Sequence, residues 1–301
     1  MKCLRVLWLF FVGNMLISAC FGVSVVYNLR IAETSKRQAT EPLITKPFVL
    51  AQTVFEQNRT TYDGIHQNFA GTLSSGIFLK DTYYVKVDWA FGNAASRFEA
   101  LHLSRTQTDD IVVTSGYSFT LNEHAKITFS GLVGFPTHND LGLQGAQIGT
   151  GHYGLGVQWD GSFTFAHHAN HSLRAAARSV HFFERTISSN LLGFNQRYRV
   201  APGDLIDFLV AHHVNHDKHR MEFGYNSSFL VNAKICPDIE AVRIRSTYIR
   251  SSFYATYAYF FMLAGHLSGV ACAFSGGFDH LPKKVGTQRV LTAWALWGIN
   301  F

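Results

Sequence analysis

The sequence is poor in charge, proline and cysteine. Only 15% of its 301 residues are charged, and neither sign forms a run. A nucleic-acid binder clusters Lys and Arg on one face, so no nucleic acid is expected as partner. The net charge of +6 is scattered, which suits an anionic lipid or sugar surface better. Of the four cysteines, Cys3 and Cys20 lie at the very start. Cys236 and Cys272 are too few for a disulfide framework, although one bridge between them stays open. No GxSxG, HExxH or CxxC occurs. That removes the usual signals of a serine hydrolase, a zinc protease or a redox pair, so neither an enzyme nor a cofactor is expected. An amphipathic helix, with apolar residues three and four apart, is also missing.

What is present starts with an export signal. Lys2 and Arg5 precede an apolar stretch from Val6 to Ile17, followed by small residues. This is the pattern of a secretory signal peptide, and it is too short for a spanning helix of about 20 residues. Residues 1–22 are therefore read as the signal, with cleavage after Cys20 or Gly22. Ile17-Ser18-Ala19-Cys20 also resembles a lipoprotein box with Cys20 as the lipidated residue, although Phe21 and Val23 supply little polar tether. Residues 23–46 are polar and aperiodic, and read as a periplasmic leader.

From residue 47 the pattern changes to period two, which belongs to strands. TYYVKVDWAFG places Tyr83, Val85, Val87, Trp89 and Phe91 on one face, and Lys86 and Asp88 on the other. KITFSGLVGF sets Ile127, Phe129, Val133 and Phe135 against Lys126, Thr128 and Ser130. RMEFGYNSSFL sets Met221, Phe223 and Tyr225 against Arg220, Glu222 and Asn226. Segments of about ten residues with this alternation are the signature of a transmembrane barrel, whose apolar faces are covered by lipid.

Connections give an independent sign. LNEHA at 121–125, HHANH at 167–171, NHDKH at 215–219 and LAGH at 263–266 are short. Those at 137–151, 184–202 and 232–244 are long, and 280–286 is intermediate. Short periplasmic turns alternating with longer external loops fit such a barrel. The expected fold is all-β: a transmembrane antiparallel up-and-down β-barrel of about 12 strands over residues 47–301. A helical span over Phe253–Phe274 competes, but Gly265-His266 interrupts it and a hairpin is preferred. The closing RVLTAWALWGINF puts Trp297, Ile299 and Phe301 on one face. A final strand of this kind is expected to serve as an assembly signal for the barrel-assembly machinery, with outer-membrane lipids as the other partner.

Gly149-Thr-Gly-His-Tyr-Gly154 matches GxGxxG in letters only. A dinucleotide site needs a strand before the motif and a helix after it, and here an alternating strand follows. With Phe135-Pro136-Thr137, Gly149-Thr150-Gly151 and the strand IGTGHYGLGVQWDGSFTF, residues 110–230 resemble the MetA-pathway-of-phenol-degradation family of outer-membrane barrels. His138 stands where that family has glycine. The resemblance implies a transporter-like barrel with a small-molecule cargo, and it assigns no catalytic residues.

Histidines gather at the short turns. His167, His168 and His171 are weak candidates for a metal rim, although turns tolerate polar residues without any ligand role. The inward charges are the stronger candidates. Lys86, Asp88, Lys126, Asp160, Asp207, Arg220, Glu222 and Arg250 are expected in the lumen, with Arg174 and Arg178 on a more weakly alternating strand. Six cations against four anions would tilt an open pore towards anions. Eight strands are filled by side chains and sixteen enclose a channel, so twelve allow either outcome. The expected function is passive passage of a small solute across the outer membrane, with selectivity from lumen charge and external loops. A structural barrel with a plugged lumen is the alternative. A lipid-modifying enzyme is a lesser one: Ser179 and His181 share a strand face, but two residues apart in one strand is not a triad geometry.

Overall fold

The computed structural model describes residues 47–300, apart from 61–63, 80–81, 99–100, 109, 138–150, 167, 192–193, 238–243, 264–265 and 282–283. The signal and leader assignments lie outside the described residues. Within them the chain forms fifteen strands and no helix.

β1 (Pro47–Thr60), β2 (Gly64–Leu79) and β3 (Tyr83–Phe98) are consecutive antiparallel strands. β4 (Leu101–Thr108) and β5 (Ile111–Asn122) are two parts of one course. β4 pairs with β3 over Phe91–Phe98, and β5 pairs with it over Tyr83–Asp88. β6 (Ala125–Phe135), β7 (Gly154–Phe165) and β8 (His168–Phe182) follow in order. β9 (Arg185–Leu191) and β10 (Phe194–Ala201) pair with each other, and β11 (Gly203–His216) returns beside β8. β12 (His219–Pro237), β13 (Ile244–Leu263), β14 (His266–Leu281) and β15 (Lys284–Asn300) complete the order. β15 then pairs with β1 from Phe48↔Asn300 to Thr60↔Gln288. This closes a barrel of twelve wall strands, with β4, β9 and β10 as extensions. Closure removes the sheet edges that would otherwise carry unpaired backbone groups.

The wall is turned inside out relative to a water-soluble protein. Outward-facing Phe129, Val157 and Phe253 are 53%, 66% and 71% exposed, whereas inward-facing Asp88, Arg174 and Arg178 are 1–2% exposed. Period two produces this arrangement, since each strand sends alternate side chains to opposite faces. Cys272 is free and exposed on the outer face, which excludes the bridge to Cys236.

Hairpin chemistry sets one end of the barrel. Asn122 Oδ1 accepts the His124 amide at 2.9 Å in the β5–β6 turn. Asp217 takes φ 48° in the β11–β12 turn, a left-handed conformation that Asp tolerates. The β13–β14 pairing, from Leu263↔His266 to Ile249↔His280, is the hairpin preferred over a helical span. The starts of β1 and β6 and the ends of β5 and β15 share this turn end. The opposite, loop end carries the extensions.

Two connections are shorter than their sequence suggests. In place of a loop over 184–202, β9 and β10 pair from Phe194↔Leu191 to Val200↔Arg185. β12 continues to Pro237, taking up much of 232–244. RTISSNL and FNQRYRVA are short and largely polar, so their alternation is faint beside that of the wall strands.

A closed polar lumen as the candidate functional site

Ladder register stacks the inner face into rows. On β5 to β12 one row runs through direct partners Thr114, Leu132, Gly156, Val180, Leu205 and Leu230. Val112 and Phe182, one step nearer the loop end, join Leu132, Val180, Leu205 and Leu230 in one buried apolar cluster. Gly156 makes room for it. A Cβ there would lie 2.5 Å from the Ser179 carbonyl oxygen and 2.9 Å from Leu132 Cδ1.

The next row towards the turn end is polar. It passes from Ser130 and Gln158 through Arg178 and Asp207 to Ser228 and Arg250. Arg178 Nε donates to Asp207 Oδ2 at 2.9 Å, and its Nη2 donates to the same oxygen. Arg174 binds Asp160 Oδ2 in the same fashion, with Nε at 2.9 Å. Lys86 lies 3.1 Å from Asp88, which also accepts from Ser74 Oγ at 2.5 Å. Near the turn end Glu222 collects three partners: Arg220 at 3.3 Å, His213 Nε2 at 3.4 Å and the Tyr254 hydroxyl at 2.6 Å. Arg220 Nη2 donates to His213 Nδ1, so a neutral His213 carries its proton on Nε2, facing Glu222. Tyr254 lies flat over Gly224, where a Cβ would come within 2.6 Å of its ring.

Each of the ten charged positions expected inside occupies the inner face. Lys86, Asp88, Arg174, Arg178, Asp207, Arg220, Glu222 and Arg250 are buried, and Lys126 and Asp160 are half-buried. The four carboxylates each have a cationic partner. A water-wide passage would leave these side chains wet, and eight of the ten are buried. At the level of the polar row Ser130, Arg178, Asp207, Ser228 and Arg250 are buried and crowd the lumen. Tyr84, His213 and Tyr254 belong to this network and were not singled out beforehand. Their signal was parity alone: Tyr84 keeps step with Lys86 and Asp88, and His213 keeps step with Asp207.

Gly149 and Thr150 lie outside the described residues, while Gly151 of the Gly-Thr-Gly motif and Thr137 of the Pro-Thr motif have a structural task. Gly151 adopts φ 66° and its amide faces both Asp110 carboxylate oxygens, at 3.2 and 3.1 Å. Its carbonyl accepts Arg185 Nη1 at 2.7 Å, and His152 Nδ1 donates to the Phe183 carbonyl at 3.0 Å. Thr137 Oγ1 is bonded to Thr108 Oγ1 at 2.9 Å. Thr137 and Gly151 thus pin the ends of the β6–β7 connection to the break between β4 and β5. No helix follows Gly154, so the fragment is no dinucleotide site.

No family model matches the chain, and no curated protein matches it. An outer-membrane channel of Pseudomonas putida F1 is similar in structure, with a TM-score of 0.64 at 11% identity, over 87% of this chain and 98% of that one. The translocator domain of the autotransporter NalP of Neisseria meningitidis has a TM-score of 0.51 at 10% identity, over 93% and 97%. The chain has the fold of outer-membrane β-barrels.

The remaining candidates fall elsewhere. Trp297 is exposed on the outer face of β15, while the side chain of Ile299 and all of Phe301 lie outside the described residues. So do His167 and the side chain of His168. His171 is on the outer face of β8. Among the described residues no group of three His, Cys, Asp or Glu is placed to hold a metal. On the outer face near the loop end, His181 Nδ1 lies 2.7 Å from Asp204 Oδ1 across β8 and β11.

Proposed function

We propose that this protein is an outer-membrane channel for passive passage of a small solute, closed at rest by its own lumen side chains. The observation that supports it is the polar inner face of a closed twelve-stranded wall. A purely structural barrel has no need of so many charges inside, each requiring a partner to offset its desolvation. The similarity of fold to a bacterial outer-membrane channel agrees with this reading. So does the resemblance of residues 110–230 to the phenol-degradation family, which suggests a small-molecule cargo. In this reading residues 1–22 direct export, the barrel-assembly machinery inserts the chain, and outer-membrane lipids cover the apolar band. Six cations against four anions on the inner face bias passage towards anions.

Single-channel recording of the mature chain refolded into a planar bilayer tests the proposal. The expected result is brief openings with mild anion preference, which Arg250→Ala reduces and Asp160→Ala strengthens. A heat-modifiable, correctly folded barrel that never conducts would sink it and leave the plugged structural barrel.

One observation supports a second reading on the outer face. The Asp204–His181 pair orients an imidazole, leaving Nε2 as a base nitrogen, and Ser179 stands two residues along the same exposed face. A serine hydrolase orients its base through a third group in this way but also holds the serine within about 3 Å of the base. Residues two apart on a strand stand about 6.6 Å apart, so the pair is an oriented base and not yet a triad. Release of fatty acid from phospholipid vesicles, abolished by Ser179→Ala, would establish it. Vesicles left intact by the wild-type barrel would retire it.

A further inference from the structure

The outer face of the turn end carries a histidine pair that the lumen does not use. β8 and β11 run antiparallel with His212 opposite Leu173 and Val214 opposite His171. His171 and His212 are therefore diagonal neighbours on one face, and both are half-buried. Their rings lie 27° from parallel with centroids 5.2 Å apart, and Nδ1 of His171 is 3.2 Å from Nε2 of His212. Phe165 flanks His212 edge-on, with ring centroids 6.3 Å apart. A contact of this length needs at least one neutral imidazole, since two imidazolium rings would bring two N–H donors together.

We propose that His171 and His212 form a two-nitrogen site for a borderline divalent transition-metal ion such as Cu2+, Ni2+ or Zn2+. Neutral imidazole is the ligand these ions favour. Two metal–nitrogen bonds of about 2.0–2.1 Å at a tetrahedral angle separate their nitrogens by about 3.3 Å. The observed 3.2 Å is already that spacing, so a small rotation of the rings suffices to bring both lone pairs onto one ion. Both ligands stand on hydrogen-bonded strands of the wall, which holds the spacing before the ion arrives. Water completes the coordination sphere. A bound ion bridges β8 and β11, the two wall strands joined through the β9–β10 hairpin.

The test uses the full mature chain without an affinity tag, folded in detergent and titrated with Cu2+. Calorimetry counts the sites, and electron paramagnetic resonance reads the number of nitrogen ligands. One equivalent with two-nitrogen superhyperfine splitting is expected. Loss of an outer-shell partner alone costs a metal site about 10- to 100-fold. His171→Ala and His212→Ala, which lose a ligand, should each lower affinity by at least about tenfold. His216→Ala should leave it unchanged, and bound Cu2+ should raise the unfolding temperature of the wild type and of His216→Ala but of neither His171→Ala nor His212→Ala. Heat-modifiable migration on gels confirms that each variant is folded. The proposal is overturned by the absence of saturable binding. It is equally overturned if affinity survives His212→Ala but is lost in His167→Ala or His168→Ala, which would move the site to the HHANH tract.

Discussion

At the scale of single residues, the closed lumen rests on charges that cancel in pairs. The Arg178 side chain is 1% exposed and Asp207 is 8% exposed, so neither can be replaced alone without stranding the other. Removing one partner of a buried pair costs about 3–5 kcal/mol, whereas replacing both with apolar groups is often neutral. Asp207→Ala should therefore lower the folding free energy in lipid by about 3 kcal/mol in a urea titration, and Arg178→Met with Asp207→Leu should restore most of it. A loss below about 1 kcal/mol is what an exposed pair would give, and would mean that water already reaches this level. All ten inward charges were legible in the sequence, because Lys86 and Asp88, or Arg220 and Glu222, share a parity opposite to large apolar neighbours. Their pairing was not legible. Arg174 meets Asp160 and Arg178 meets Asp207 from strands whose register no local pattern encodes.

At the scale of elements, the β6–β7 connection is held by a carboxylate. Asp110 sits in the gap between β4 and β5 and receives the Gly151 amide. Asp110→Ala removes that bond while leaving every ladder pair in place. Limited proteolysis should then cut within residues 138–150 faster than in the wild type, with heat-modifiable migration unchanged. Equal cleavage rates would mean that the Arg185 and His152 bonds suffice as the anchor. Gly151→Ala acts on the same spot through the backbone, since φ 66° costs a residue with a Cβ about 1–2 kcal/mol. It should show the same protease phenotype. That an alternating strand and no helix follows the glycines of this stretch was legible in the sequence. The carboxylate they need, 41 positions earlier, was not. The β9–β10 hairpin escaped for a related reason. Its strands RTISSNL and FNQRYRVA are short and largely polar, so their alternation is faint beside the long apolar faces of the wall.

For the whole molecule, the outward apolar face follows directly from period two, and the short and long connections between alternating segments count the strands, which is why the barrel and its strand number could be read before any contact was known. Closure of the lumen does not follow from period two, because an inward residue may line a pore or block it. Two barriers lie one above the other along the barrel axis. In the proposed channel the apolar row of Leu132, Val180, Leu205 and Leu230 would oppose a charged solute by withholding hydration, and the paired row beneath it would oppose any solute by filling the space. Barriers in series are limited by the higher one, so relieving either alone should change passage little. Leu205→Ala and the double variant Arg178→Ala/Asp207→Ala should each raise single-channel conductance modestly. Their combination should raise it by more than the product of the two separate factors. If Leu205→Ala alone opens the barrel fully, the ion pairs brace the wall without obstructing it. If the double variant alone does so, the apolar row is wide enough to pass water, and control of passage belongs to the charges.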